Sequence, residues 1–74
     1  MGRTPALSGR EVVRLLERAG YRVVNQRGSH VKLRRADLTI TVPVHANRPL
    51  KRPTLMAILK DAGLSGADVR RLLD

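Results

Sequence analysis

The spacing of apolar side chains changes twice along this chain of 74 residues, and these changes restrict its possible folds more than any other feature. Residues 8–19 carry apolar side chains every three or four positions, which predicts an amphipathic helix. Residues 21–45 mostly alternate apolar with polar side chains, which predicts three strands. The helical spacing returns in residues 53–62 and 65–73. The sequence therefore predicts an α-β-β-β-α order with a short extra carboxyl-terminal helix.

Local signals mark where the two longer helices begin and end. Ser8 and Glu11 have the spacing of a capping box at the start of the first helix. Gly20 suits the left-handed backbone conformation that often follows a helix. Pro53 suits the first turn of the second helix, where the missing N–H is not needed, and Gly63 is expected to end that helix.

The alternating stretch predicts a three-stranded antiparallel sheet with one apolar and one polar face. Turns are expected at Arg27-Gly28 and at residues 35–37. The apolar face is expected to carry Tyr21, Val23, Ser29, Val31, Leu33, Leu38, Ile40, Val42 and Val44. The polar face is expected to carry His30, Lys32, Arg34, Thr39, Thr41, Pro43 and His45. Because the helices can cover the apolar face, a functional site is expected on the polar face.

Length and cysteine content limit the class of protein. A chain this short buries only roughly 60% of its unfolded surface, so we expect a single domain over residues 1–74. The absence of cysteine excludes disulfides and thiolate zinc sites, and favours a reducing compartment such as the cytoplasm. No apolar run approaches the length of about 18 residues typical of a membrane-spanning helix, so no membrane association is expected.

The positive charge of the chain is concentrated in its middle. The 15 Lys and Arg residues outnumber the 6 Asp and Glu residues, and the formal net charge is +9. Residues 18–60 carry ten of the basic side chains against one acid, Asp37, whereas the flanking segments are nearly neutral. Because like charges at this density repel one another, they indicate a polyanion or an acidic protein as partner. A basic surface that serves only solubility is the alternative.

The near absence of aromatic residues limits how the chain contacts a nucleic acid. Proteins commonly bind single-stranded RNA by stacking bases on aromatic rings, but Tyr21 is the only aromatic residue here and falls on the apolar face. Binding is therefore expected mainly through phosphates. The α-β-β-β-α order and the basic surface also match double-stranded-RNA-binding domains, so we expect an α+β fold of that type.

His30 is the strongest candidate for a catalytic residue. It follows Gly28 and Ser29 at the start of a strand, and it shares the polar face with Lys32 and Arg34. Cleavage of RNA without a metal needs a base for the 2′-hydroxyl and cations that stabilise charge at phosphorus, and histidine suits proton transfer near neutral pH. Gly28 allows backbone to approach a phosphate closely. An ordinary exposed histidine beside a turn glycine is the alternative.

Three further side chains are candidates for RNA contacts. Arg27 is expected to bind phosphate beside His30, and Lys51 lies in the basic loop that follows the third strand. His45 suits a second acid or base, a phosphate contact or a structural role at the strand end. Two histidines with no evident third ligand do not make a zinc site, and acids are too sparse for Mg²⁺, so no metal or small-molecule cofactor is expected.

Four stretches of this sequence are distinctive in combination: Leu15 to Tyr21, Arg27-Gly28-Ser29-His30, Ile40-Thr41-Val42-Pro43-Val44-His45 and Thr54 to Leu64. Together they resemble the HicA toxin family, which are small bacterial mRNA interferases of type II toxin–antitoxin systems. The similarity extends from about residue 8 to residue 73, and the last two stretches make it specific.

The resemblance implies a double-stranded-RNA-binding-domain-like fold, metal-independent endoribonuclease activity on mRNA, and a cognate HicB antitoxin that masks the active surface. It places the catalytic histidine at His30. The residues expected to bind RNA are Arg27, Gly28, Lys32, Arg34, His45 and Lys51. A non-catalytic RNA-binding module of the same fold is one alternative. A DNA-binding regulator is another, because the last two helices have the spacing of a helix-turn-helix.

Overall fold

The predicted alternation of helix and strand periods forms six elements in the computed structural model, which describes residues 4–73. They are α1 (Gly9–Arg18), β1 (Arg22–Arg27), β2 (His30–Arg35), β3 (Leu38–Pro43), α2 (Arg52–Ala62) and α3 (Gly66–Leu73). The strands form one antiparallel sheet in the order β1-β2-β3. The predicted α+β class, the α-β-β-β-α order and the extra carboxyl-terminal helix are confirmed. Residues 1–3 and 74 of the predicted domain lie outside the described residues.

The helix ends follow from the capping residues that the sequence contains. The hydroxyl of Ser8 accepts from the backbone N–H of Glu11 at 3.1 Å, and the backbone N–H of Ser8 donates to Glu11 Oε1 at 2.8 Å. This is the predicted capping box. Gly20 has a φ of 99° just beyond α1, and Gly63 has a φ of 71° at the end of α2. Gly20 thus adopts the left-handed conformation predicted for it, and Gly63 ends α2 as predicted, also in a left-handed conformation.

Helix α3 begins with a second set of reciprocal hydrogen bonds. The backbone N–H and the hydroxyl of Ser65 donate to Asp68 Oδ2 at 2.9 and 3.0 Å, and the Asp68 N–H donates back to the hydroxyl. The backbone hydrogen bond from Ser65 is the main cause that lowers the pKa of the Asp68 carboxyl, and Arg71, at 3.0 Å, lowers it further. The stabilisation therefore requires ionised Asp68 and is lost as the pH falls through this lowered pKa.

One hydrophobic core lies between the apolar face of the sheet and the helices. It draws buried side chains from β2, β3 and all three helices. The fully buried ones are Val12, Leu15, Leu16, Leu33, Val42, Leu55, Leu59 and Val69. Tyr21 is also buried, as predicted, with the Arg35 guanidinium 4.7 Å from its ring centre. The only aromatic ring of the sequence is thus sequestered from any RNA base.

The helices cover the middle of the apolar face but leave its ends exposed. Val23 stays 43% exposed because β1 is an edge strand, and Leu38 stays 44% exposed because it directly follows the β2–β3 turn. The first turn differs from the prediction. It is formed by Gly28 and Ser29, since Arg27 still pairs with His30, so Ser29 does not belong to a strand face.

A β-bulge at Val24 changes which side chains of β1 lie on the polar face. Val23 pairs with Leu33 and Asn25 pairs with Lys32, which leaves Val24 without a partner. Paired residues of neighbouring strands lie on the same face of a sheet. Asn25 therefore joins Lys32 on the polar face, although strict alternation from Tyr21 would place it on the apolar face.

Three of the ten basic side chains in residues 18–60 serve the fold. Arg18 donates to the carbonyl of Leu72 at 2.7 Å, Arg35 to that of Ala19 at 2.9 Å, and Arg52 to that of Thr4 at 2.6 Å. Each of these arginines ties separate segments of the chain together. The cations that remain for a ligand are concentrated on the polar face of the sheet and in the loop after β3.

Candidate active site

The polar face of the sheet places its side chains in three rows that run across the strands. Directly paired residues have Cβ atoms about 4.5–5.5 Å apart. The rows are Arg27–His30–Pro43, Asn25–Lys32–Thr41 and Arg22–Arg34–Thr39. The predicted catalytic residue His30 therefore lies between a cation on β1 and a proline on β3.

The β1 and β2 residues of the first two rows line an open groove of about 410 Å³, which we name the strand groove; they are Asn25, Arg27, His30 and Lys32. No carboxylate lines it. Within residues 4–73, the side chains of Arg27, His30 and Lys32 form no hydrogen bond or ion pair with another residue. A histidine flanked by two uncompensated cations suits a phosphodiester, because it combines a proton acceptor with positive charge.

The turn before His30 combines an open glycine with an anchored serine. Gly28 has a φ of 56°, a left-handed conformation that side-chain-bearing residues rarely adopt. The space where a Cβ would lie on Gly28 is open, so a phosphate has room beside this backbone. The carbonyl of Ser29 accepts from the backbone N–H of Val44 at 2.6 Å, which ties the turn to the chain after β3. The backbone that carries His30 is therefore held in place.

A second groove, of about 320 Å³, lies at the end of β3; we name it the loop groove. Its lining residues are Pro43, His45, Arg48, Pro49, Leu50, Lys51 and Thr54. The structure thus separates the predicted site residues into two groups. Arg27, His30 and Lys32 share the strand groove with Gly28 beside it, whereas His45 and Lys51 line the loop groove. Pro43 connects the grooves, because it pairs with His30 and also lines the loop groove.

Arg34 lies in neither groove. It is in the third row, one step along the polar face from Lys32, and it is exposed. Asn25, Arg48 and Thr54 line the grooves but were not among the predicted site residues. The sequence did indicate Arg48 as a candidate, since it belongs to the same basic loop as Lys51. For Asn25 the alternation of β1 pointed to the opposite face.

Two negative findings apply to the residues that the structure describes. No three His, Asp or Glu side chains of residues 4–73 are grouped so that they could hold a metal ion. No helix within this range is both long enough and apolar enough to cross a bilayer.

The fold and the strand groove define a class: a small basic α+β protein that presents one histidine among cations on the polar face of a three-stranded sheet. The family described as the HicA toxin of bacterial toxin–antitoxin systems matches residues 9–64, which run from the start of α1 to just beyond α2. The chain belongs to this family. It is thus a toxin of a bacterial toxin–antitoxin system, and membership implies an antitoxin partner. No curated protein matches the chain in sequence.

Proposed function

We propose that this toxin is a metal-independent mRNA interferase, an endoribonuclease in which His30 is the general base. The strand groove is the observation that supports this most strongly, because it puts His30 between Arg27 and Lys32 with no carboxylate nearby. A phosphate drawn in by the two cations lies within reach of the imidazole. Gly28 leaves open space for the same phosphate at the start of the strand.

In the proposed reaction, neutral His30 takes the proton of the 2′-hydroxyl next to the scissile phosphate. The 2′ oxygen forms a bond to phosphorus, and the bond between phosphorus and the 5′ oxygen breaks. The leaving 5′ oxygen takes up a proton from the imidazolium or from water. The products are a 2′,3′-cyclic phosphate and a 5′-hydroxyl. Arg27 and Lys32 stabilise the extra negative charge that develops on the phosphate oxygens.

The remaining predicted RNA contacts lie farther from His30. Arg34 extends the line of cations along the polar face, and we propose that it binds a phosphate outside the scissile position. His45 and Lys51 are proposed to contact RNA from the loop groove. We further propose that the cognate antitoxin is a HicB protein that inhibits the toxin by covering the strand groove, and that the activity belongs in the cytoplasm, where mRNA is translated.

The decisive variant is His30→Ala. We expect the wild-type protein to cleave RNA in the presence of EDTA, and the variant to be slower by about 10²–10⁴-fold, the usual contribution of a general base. Circular dichroism verifies that the variant is folded. His45→Ala is the matched comparison, since it removes another exposed imidazole, one that lines the loop groove. It is expected to weaken RNA binding but to retain most of the cleavage rate at saturating RNA.

A folded His30→Ala protein that cleaves at the wild-type rate would contradict the proposal. If the wild-type protein binds RNA but produces no new ends, the protein is the non-catalytic RNA-binding module instead. The DNA-binding alternative gains no support from α3, where Val69 is buried in the core and Arg71 pairs with Asp68.

A further inference from the structure

We propose that the loop groove binds the unpaired nucleotide adjacent to the phosphate at His30, so that the substrate is single-stranded RNA. The inference rests on the proposed function, because it assigns the substrate class of the same surface. It assigns a role to Arg48, Pro49, Leu50 and Thr54, none of which takes part in the proposed cleavage step.

Continuity between the two grooves is the first argument. Pro43 is the cross-strand partner of His30 and also lines the loop groove. An RNA strand that places a phosphate beside His30 and runs across the sheet past Pro43 therefore enters the loop groove with its next nucleotide.

The chemistry of the lining is the second argument. The strand groove is lined only by polar side chains, whereas the loop groove combines an apolar surface of Pro43, Pro49 and Leu50 with cations. Apolar side chains pack against the face of a base, and cations bind the phosphate that follows it. The Thr54 hydroxyl is a donor and acceptor for a base edge. Because Tyr21 is buried, its ring cannot supply an apolar surface for a base elsewhere on the protein.

The loop groove is also held in shape by backbone hydrogen bonds. The backbone N–H of Leu50 donates to the carbonyl of Leu7 at 2.7 Å, and Ser8 forms an isolated β-bridge with Pro49. The backbone N–H of Arg48 donates to the carbonyl of His45 at 3.1 Å, which closes a turn. The Leu50 bond and the bridge of Ser8 with Pro49 anchor the loop to the segment before α1, and the Arg48 bond holds the turn within the loop. A preformed groove lowers the entropy that is lost when a ligand binds.

These features favour single-stranded over duplex RNA. In a duplex the faces of the bases are stacked on one another, so the apolar surface of the loop groove has nothing to contact. An unpaired base can turn outward and lie against Pro43, Pro49 and Leu50. The fold resembles that of duplex-binding domains, but the loop groove points to the opposite preference.

The test measures RNA affinity in a His30→Ala background, in which the RNA stays intact. A labelled mixed-sequence oligoribonucleotide is titrated by fluorescence anisotropy, alone and annealed to its complement. We expect Arg48→Ala combined with Lys51→Ala to weaken single-strand binding about tenfold, and to flatten the slope of log affinity against log salt by about 1.4, since each single-strand phosphate contact contributes about 0.7. Binding of the duplex is expected to change much less.

The matched control is Lys60→Ala combined with Arg70→Ala. It removes the same kinds of charge from two exposed side chains outside both grooves. Single-strand affinity is expected to stay within twofold of the His30→Ala parent. In addition, oligoribonucleotides that contain 4-thiouridine are expected to photo-cross-link within residues 43–54, which reports directly on a base in the loop groove.

Three results would overturn the inference: equal affinities of the two double variants, equal losses for single strand and duplex, or cross-links confined to β1 and β2. If the Arg48→Ala and Lys51→Ala protein binds RNA normally but no longer binds its antitoxin, the groove is a protein-docking surface instead. Failure of the proposed function is seen separately, because it appears as a wild-type protein that does not cleave, whereas the binding measurements need no cleavage.

Discussion

At the scale of single residues, Gly9 determines how closely α1 approaches the end of β3. A Cβ on Gly9 would overlap the carbonyl oxygen of Pro43 and lie 2.8 Å from the Cα of Val44. Backbone atoms cannot rotate away as a flexible side chain can. Pro43 pairs with His30 and lines the loop groove. The close packing of α1 at Gly9 therefore also constrains the segment that connects the two grooves.

We therefore predict that Gly9→Ala destabilises the protein by about 1–3 kcal/mol, the usual range for overpacking, as measured by urea unfolding. Because the strain falls on Pro43, it should also weaken RNA binding by the folded protein.

Gly63→Ala is the matched control. Gly63 has a φ of 71° with open space around it, so alanine there is strained by the backbone angle alone. This variant should lose stability but keep its RNA affinity. A Gly9→Ala protein that is as stable as wild type would contradict the packing argument.

Two interactions of single residues show what the local sequence predicts and what it does not. The capping box of Ser8 and Glu11 was predictable, because both partners lie within one helical turn. The hydrogen bond from Arg18 to Leu72 was not, since it joins residues that are 54 positions apart in the chain. Nothing in the sequence distinguishes Arg18 from the other basic residues of residues 18–60.

At the scale of elements, the bulge in β1 gives the strand groove half of its lining. Without an extra residue, alternation from Val23 would put Asn25 and Arg27 on the apolar face. With Val24 bulged, Asn25 pairs with Lys32 and Arg27 pairs with His30. The bulge therefore brings a cation from β1 next to the proposed catalytic histidine.

Two single-residue deletions test this role of the bulge. Deleting Val24 restores regular pairing and leaves Asn25 opposite Lys32, so RNA affinity in the His30→Ala background should stay within about twofold. Deleting Gln26 also allows regular pairing, but it puts Val24 opposite Lys32 in place of Asn25. The affinity should then fall about fivefold or more, the equivalent of one lost hydrogen bond of about 1 kcal/mol.

Each deletion shortens the same edge strand by one residue, so the pair controls for general damage to β1. Thermal unfolding followed by circular dichroism checks that both variants fold. Equal RNA affinities of the two variants would show that the side chain opposite Lys32 does not contribute to the groove.

At the scale of the whole molecule, the basic side chains that give the net charge of +9 include both structural cations and cations that face a ligand. Arg18, Arg35 and Arg52 donate to backbone carbonyls, and Arg71 pairs with Asp68. Six other cations lie along the two grooves and the adjacent row: Arg22, Arg27, Lys32, Arg34, Arg48 and Lys51.

This division predicts the salt dependence of RNA binding. Six phosphate contacts on a single strand give a slope of log affinity against log salt of about −4.2. If all 15 basic residues took part, the slope would be about −10. Anisotropy titrations of the His30→Ala protein over a series of KCl concentrations measure this slope. A value near zero would exclude phosphate-directed binding, and one near −10 would show that the cations are not divided in this way.

The sequence by itself determined the α-β-β-β-α order, the helix caps and the position of His30 at the start of a strand, because these depend on residues close together in the chain. Their periodicity and capping are local properties. Tertiary structure alone decided which cations face a ligand and how the candidate site residues divide between two grooves. Strand register, the Val24 bulge and the contact of α1 with Pro43 depend on partners distant in the sequence. The basic middle of the chain predicted a polyanion-binding surface, and its folding separates that surface into a strand groove and a loop groove.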